Sequence, residues 1–288
     1  MSAMDWTTLV DAATLAPHLH DPGLRLLDAR AVLTEPGAGA AAHAASHLPG
    51  ALHVDLDGDL SDHAVTGQGR HPLPDAAGFA RRVGGWGIGP QHQVVVYDAG
   101  DGSMAAARAW WLLRLLGHDR VAVLDGGLAA WRQAGLPETD MPATPASLPP
   151  YPSTGFDPAR IATAADVLAR LGEAPGWLLD ARGAERFAGK VEPIDPVAGH
   201  VPGAVNRPFT LNLRDGRFRP AAELRAELVP LLGGHPPGAT VLMCGSGVTA
   251  CHLLLAMEHA GLPGARVFAG SWSGWIADPA RPVARSAS

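Results

Sequence analysis

Short apolar runs alternate with longer stretches of helical periodicity along most of this chain. Val94 to Tyr97 and Thr240 to Met243 are brief, mainly apolar runs that end at glycine-containing turns, the pattern of strands buried on both faces. After the second of these turns Ala250, Leu253, Leu254 and Met257 recur at helical spacing, and Gly261 and Pro263 mark a stop. Ala107, Trp110, Trp111 and Arg114 follow the same course to Gly117, and Val121 to Leu124 reads as the next strand. Strand, turn, helix and parallel strand make a βαβ unit, so the pattern predicts an α/β fold with mainly parallel sheets flanked by helices.

The pattern is written twice. Leu26-Leu27-Asp28-Ala29-Arg30 returns as Leu178-Leu179-Asp180-Ala181-Arg182, and His47-Leu48-Pro49-Gly50-Ala51 as His200-Val201-Pro202-Gly203-Ala204. Val94 to Asp98 corresponds to Thr240 to Cys244, and Asp125-Gly126-Gly127 with Trp131 to Ala269-Gly270-Ser271 with Trp275. Four landmarks in one order, 144 to 153 residues apart, describe two homologous domains rather than a solenoid, whose repeats run to about 20–50 residues. The expected division is a first domain over residues 1–136, a linker over 137–158 and a second domain over 159–288. The linker holds Pro142, Pro145, Pro149, Pro150 and Pro152, which suit an extended strap wrapping one domain onto the other.

Composition narrows the function. A 47% apolar, 17% charged chain of 288 residues can fill two globular cores. A net charge of −6 with no basic run argues against nucleic acid, whose binding rests on neutralising phosphates. Membrane spans need about 18 uninterrupted apolar residues, and the best stretch, Met104 to Leu116, is broken by Arg108 and Arg114. Met1 to Val10 carries Asp5 and no basic segment, unlike a secretory signal. With only Cys244 and Cys251, about 10 Å apart if the intervening turn is helical, a disulfide is excluded and a reducing cytoplasm is expected.

Cys244 ends a predicted buried strand and precedes a helix, at the sheet edge where open α/β folds bind ligands. Gly245 and Gly247 remove side chains, so that successive backbone N–H groups of the loop, through Val248 and Thr249, can turn inward and bind an anion. The helix start adds unpaired N–H groups and a partial positive charge. Such a cradle suits a nucleophilic thiolate and the persulfide it would form. Most free cysteines are buried core residues, and that reading fits Cys251. Tyrosine-type phosphatases also place a Cys loop before a helix, but they require Cys-x5-Arg, and here Ala250 stands six residues on.

Cys244-Gly245-Ser246-Gly247-Val248-Thr249, together with the doubled His-x-Pro-Gly motif and Gly270-Ser271-Trp272-x-x-Trp275, resembles the two-domain rhodanese superfamily, the 3-mercaptopyruvate and thiosulfate sulfurtransferases. The resemblance spans nearly the entire chain. It implies that Cys244 carries sulfane sulfur from a small donor to a thiol or cyanide acceptor, with a thioredoxin-like reductant as one such partner and no metal or organic cofactor. It also implies a silent first domain, because Asp98 stands where the second domain has its cysteine. A Ser, His and Asp trio that activates the donor maps onto Ser246, His71 and Asp57, the last two reaching across from the first domain, with Asp62 as a substitute for Asp57. Arg186 matches an arginine that holds an anionic substrate. The second arginine usual after a Glu-Pro pair is absent, since Ile194 follows Glu192-Pro193.

Family members that favour thiosulfate carry Arg and Lys just after the cysteine; Gly245 and Ser246 are uncharged, which implies a preference for 3-mercaptopyruvate. The competing readings are a thiosulfate:cyanide sulfurtransferase and a non-catalytic sulfur-carrier or interaction module. Asp28, Arg30, Asp180 and Arg182 recur in both copies, the silent one included, and therefore read as structural, as do Trp131, Trp275 and the His-x-Pro-Gly turns.

Overall fold

A computed structural model of the protein describes residues 4–32, 34–100 and 105–286. They group into two units. The first takes the chain up to Asp62, Pro74–Asp157 and Asp215–Phe218; the second takes His63–Leu73, Pro158–Arg214 and the chain from Arg219 onward. The division departs from the sequence expectation in one consequential place. Residues 63–73, which carry His71, fall within the first repeat in sequence but belong to the second unit.

In the first unit β1 (Leu9–Val10), β2 (Leu24–Asp28), β3 (Ala51–His53), β4 (Gln93–Tyr97) and β5 (Val121–Leu124) form a wholly parallel sheet in the order β1-β5-β4-β2-β3. Around it run α1 (Ala12–Leu15), α2 (Ala38–Ala45), α3 (Ala76–Gly85), α4 (Ala105–Leu115) and α5 (Gly127–Gln133). Every residue of β4 is buried, which is why its apolar run is continuous rather than alternating.

The second unit repeats this plan strand for strand. Its strands β6 (Ile161–Ala162), β7 (Leu178–Asp180), β8 (Val205–Asn206), β9 (Val241–Met243) and β10 (Arg266–Phe268) are also all parallel, in the order β6-β10-β9-β7-β8. The accompanying helices are α6 (Ala164–Ala169), α7 (Ala184–Ala188), α8 (Ala221–Leu231), α9 (Thr249–His259) and α10 (Ser271–Trp275). Val241, Met243, Phe268, Trp272 and Trp275 share one core. No helix among the described residues is long and apolar enough to cross a membrane.

The residues repeated in both copies hold equivalent structural places. Arg30 and Arg182 each turn back onto the aspartate two positions earlier, at 2.5 Å to Asp28 and 2.8 Å to Asp180. Each arginine then spends a remaining N–H on a main-chain carbonyl, Ser46 or Gly199. These are buried pairs whose hydrogen bonds offset the desolvation of both charges. Gly50 and Gly203 adopt φ of +84° and +82° in the His-x-Pro-Gly turns, a conformation that glycine tolerates best. The preceding histidines form antiparallel bridges, His47 to Thr139 and His200 to Ala284. The indole N–H groups of Trp131 and Trp275 donate to Pro137 and Pro282.

The proline-rich segment lies along the first unit. Leu148 and Tyr151 donate main-chain N–H groups to the carbonyls of Gly84 and Ala80 in α3, and Asp157 donates to Leu115. A side chain at position 84 would meet the Pro149 carbonyl at 2.2 Å, so α3 needs glycine there to admit the strap.

Burial alone would raise the Asp28 carboxyl, but the hydrogen bonds and charge of Arg30 outweigh it and hold the group below its ordinary value. A depressed carboxyl contributes stability that is complete above its unfolded value, about 3.9, and is lost as pH falls through the folded one. Asp28→Asn is therefore expected to cost about 3–5 kcal/mol at neutral pH, by leaving the Arg30 charge buried and unpaired. It should also remove part of the acid sensitivity between pH 4 and lower values, both read from denaturant melts across pH. A variant as stable as the parent at pH 7 would show that the pair is not structural.

Candidate functional site

The end of β9 delivers Cys244 into a loop that α10 holds open from behind. Trp272 and Ser273 donate their main-chain N–H groups to the carbonyls of Cys244 (3.0 Å) and Gly245 (2.9 Å). With those carbonyls drawn to α10, the loop's own amides are left for something else. Gly247 N–H points at Cys244 Sγ, 3.1 Å away. Among the described residues the N–H groups of Gly245, Ser246 and Val248 find no protein acceptor, although all three residues are buried. Buried unpaired N–H groups are rare, and several around one thiol form a cradle for an anion.

Gly247 closes this loop with φ +84°, and a Cβ there would strike the Ala269 carbonyl at 2.3 Å. Val248 caps α9 and Thr249 opens it, so the helix N-terminus faces the same loop. Cys251 lies one turn in, fully buried, its thiol donating to the Gly247 carbonyl, and neither cysteine is in a disulfide.

Ser246 Oγ lies 2.8 Å from His71 Nδ1, and both side chains are buried. The expected serine–histidine pair is thus assembled within the second unit, by the 63–73 segment that joins it. Gly69 (φ +91°) lies so close to the Gly270 carbonyl that a side chain would clash at 2.5 Å, and the Arg70 N–H bonds Ser273 Oγ at 3.1 Å. Asp57 and Asp62 belong to the first unit; Asp57 is exposed, and its amide donates to Asp55 Oδ1.

Two guanidinium groups flank Gly245. Arg186, on α7, donates to both oxygens of Glu192 and, at 3.1 Å, to Asp195 Oδ2. Arg70 pairs with the other oxygen of Asp195. The Glu192 carboxylate is buried, which works against ionisation, but the Arg186 bonds and the amides of Asp195 and Ile194 win and hold it below its ordinary value. Asp195 is pushed up, by burial first and with the Glu192 charge adding to it, against the opposing pull of Arg70 and Arg186. The loop itself is uncharged, as its sequence states, but two guanidinium groups, each paired with buried carboxylates, stand at its rim.

Sequence reasoning passed over three residues. Arg70 sits beside the singled-out His71, and Asp195 two positions after the Glu-Pro pair. Ser271 is the third. It accepts the Cys244 N–H at 3.0 Å, its hydroxyl lies 3.9 Å from Cys244 Sγ, and its φ is +49°. The matched residue of the first copy is Gly127, at φ +52°. Serine where the first copy has glycine was the legible signal, because a strained non-glycine residue persists where it serves a site.

The sequence profile of the rhodanese-like domain matches this chain twice, over residues 11–134 and 163–278. The chain belongs to the rhodanese family. Among relatives of this rhodanese protein, one from Pseudomonas aeruginosa named "Probable 3-mercaptopyruvate sulfurtransferase" is 50% identical over 98% of this chain and 99% of its own length. Another, from Mycobacterium tuberculosis and named "Putative thiosulfate sulfurtransferase SseB", is 42% identical over 96% of each chain. The crystal structure of the Escherichia coli 3-mercaptopyruvate sulfurtransferase SseA superposes with a TM-score of 0.77 at 34% identity, covering 93% of this chain and all of that one.

Ser271→Gly tests the hydroxyl. The substitution relieves an unfavourable φ, worth about 1 kcal/mol, yet removes the group that fixes Cys244. The expected outcome is a lower melting temperature, because the buried Cys244 N–H and Phe268 carbonyl lose their partner, with turnover reduced about tenfold as Cys244 is no longer held in place. Full turnover would show that the hydroxyl only serves the backbone.

Proposed function

We propose that this rhodanese-family enzyme is a sulfurtransferase that moves sulfane sulfur from 3-mercaptopyruvate to a thiophilic acceptor through a persulfide on Cys244. The observation that carries this reading is the Cys244 thiol at the centre of unpaired loop amides, with the Gly247 N–H already directed at Sγ.

In the first half-reaction the donor lies over Gly245 with its carboxylate on Arg186. The Cys244 thiolate attacks the donor sulfur, the S–S bond forms and the donor C–S bond breaks. The bonding electrons pass to carbon, which leaves as the enolate of pyruvate and takes up a proton. Ser246 and His71 handle the donor thiol proton and hold it available for that carbon, as their 2.8 Å hydrogen bond permits. The outer sulfur of Cys244–S–S⁻ then occupies the amide cradle, where fixed dipoles stabilise it without reorganisation. In the second half-reaction cyanide or an acceptor thiolate attacks that sulfur and Cys244 leaves as thiolate, so the cycle needs no external oxidant. A small thiol or a thioredoxin-like reductant fits the acceptor role. Two reduced, buried cysteines suit a cytoplasmic setting.

Thiosulfate is the competing donor, favoured by the name of the Mycobacterium tuberculosis relative. Against it stands the absence of a cation at positions 245 and 246, where each lost charge-assisted bond to a dianion costs about 1.5–3 kcal/mol. The expected result is a higher kcat/KM with 3-mercaptopyruvate than with thiosulfate, measured with cyanide as common acceptor. Equal or better efficiency with thiosulfate would overturn the donor but not the sulfurtransferase chemistry. Cys244→Ser is expected to abolish turnover while Cys251→Ser keeps most of it; the reverse pattern would move the nucleophile to the helix.

A further inference from the structure

Arg70 has a placement that surface arginines lack. Its main chain is tied to Ser273, its Nη1 pairs with Asp195, and its Nη2 has no protein acceptor among the described residues. That Nη2 lies 3.1 Å from the point at which a side chain on residue 245 would begin. Arg186 Nη1, likewise without a protein acceptor among the described residues, lies 3.5 Å from the same point. Two unpaired guanidinium nitrogens from distant parts of the sequence thus converge on the space above Gly245, next to the reactive sulfur. At position 194, where the resemblance leads one to expect a second arginine, stands a half-exposed isoleucine, 53% exposed.

We propose that Arg70 is a second donor-binding arginine, which together with Arg186 grips the carboxylate of 3-mercaptopyruvate over Gly245 and takes the place of the arginine missing at position 194. The proposal rests on the donor reading above and deepens it. A carboxylate presents two oxygens in one plane, and guanidinium forks meet that geometry with parallel N–H bonds that an ammonium cannot reproduce. Both forks are preset, because the buried carboxylates of Glu192 and Asp195 hold their outer faces. Three guanidiniums (Arg70, Arg182, Arg186) face three carboxylates (Asp180, Glu192, Asp195), so the rim is balanced before the donor arrives. Such a rim offers directed bonds to a monoanion rather than the surplus charge a dianion would reward. Glycine at 245 keeps the space clear, since any side chain would enter the gap between the forks.

The test compares Arg70→Gln, Arg70→Lys and Arg186→Ala with the parent in steady-state assays with 3-mercaptopyruvate and cyanide, with pyruvate as competitive inhibitor. Arg70→Gln is expected to raise both the KM for 3-mercaptopyruvate and the Ki of pyruvate about ten- to a hundredfold, with kcat and the KM for cyanide nearly unchanged. Arg70→Lys, which keeps the charge without the fork, is expected to fall between the two, and it carries the same test if the glutamine variant does not fold. A purely structural role would instead lower kcat and melting temperature and leave the pyruvate Ki alone. Unchanged KM and Ki in Arg70→Gln, with both raised in Arg186→Ala, would overturn the role of Arg70 while the donor reading stands. Unchanged values in both variants would sink the donor reading and the proposal together.

Discussion

Two hydrogen bonds decide what the Cys244 loop can do. By taking up the carbonyls of Cys244 and Gly245, the first amides of α10 leave the N–H groups of Gly245, Ser246 and Val248 without a protein acceptor among the described residues, beside a buried thiol. A loop satisfied internally would have hidden those donors, and one left to solvent would have lost them to water. The cost of keeping them unpaired is met by the packing of the second unit, whose tryptophans Trp272 and Trp275 fix α10 and therefore the position of its amides. The site is thus built by sheet-end geometry and main-chain dipoles, and side chains contribute at its rim.

Comparison of the two copies separates the shared architecture from what is particular to the Cys244 loop. Both units keep the sheet order, the buried Arg–Asp pair, the left-handed glycine in the His-x-Pro-Gly turn and the tryptophan that donates to a proline carbonyl. Those features are needed to fold a unit of this kind. The differences include the end of the central strand and the turn behind it: Asp98 for Cys244, and Gly127 for Ser271. Serine at φ +49° stands where its hydroxyl oxygen accepts the Cys244 N–H, whereas the first copy has glycine at φ +52°.

The fold was legible because its signals were redundant. Buried parallel strands give continuous apolar runs, and the repeat supplied each of them twice. Cys244, Ser246 and the glycines are contiguous, so the loop to which the chemistry is assigned by proposal could be located from one hexapeptide. His71 was found only through resemblance, and its membership of the second unit was not legible, since proximity in sequence assigned it to the first. Arg70 and Asp195 were missed for a related reason. Charge pairing between residues 125 positions apart leaves no periodic trace. The sequence shows an isoleucine where a cation is expected, and only the fold shows which other segment brings one.

The account depends on Cys244 holding the transferred sulfur, and direct mapping of that sulfur tests it. The protein is incubated with 3-mercaptopyruvate in the absence of acceptor, trapped with an alkylating agent and digested, and the peptides carrying Cys244 and Cys251 are weighed. The predicted result is one added sulfur on the Cys244 peptide, none on the Cys251 peptide, and complete loss of the label when cyanide is supplied before trapping. Sulfur on Cys251, or turnover without any persulfide on Cys244, would contradict it.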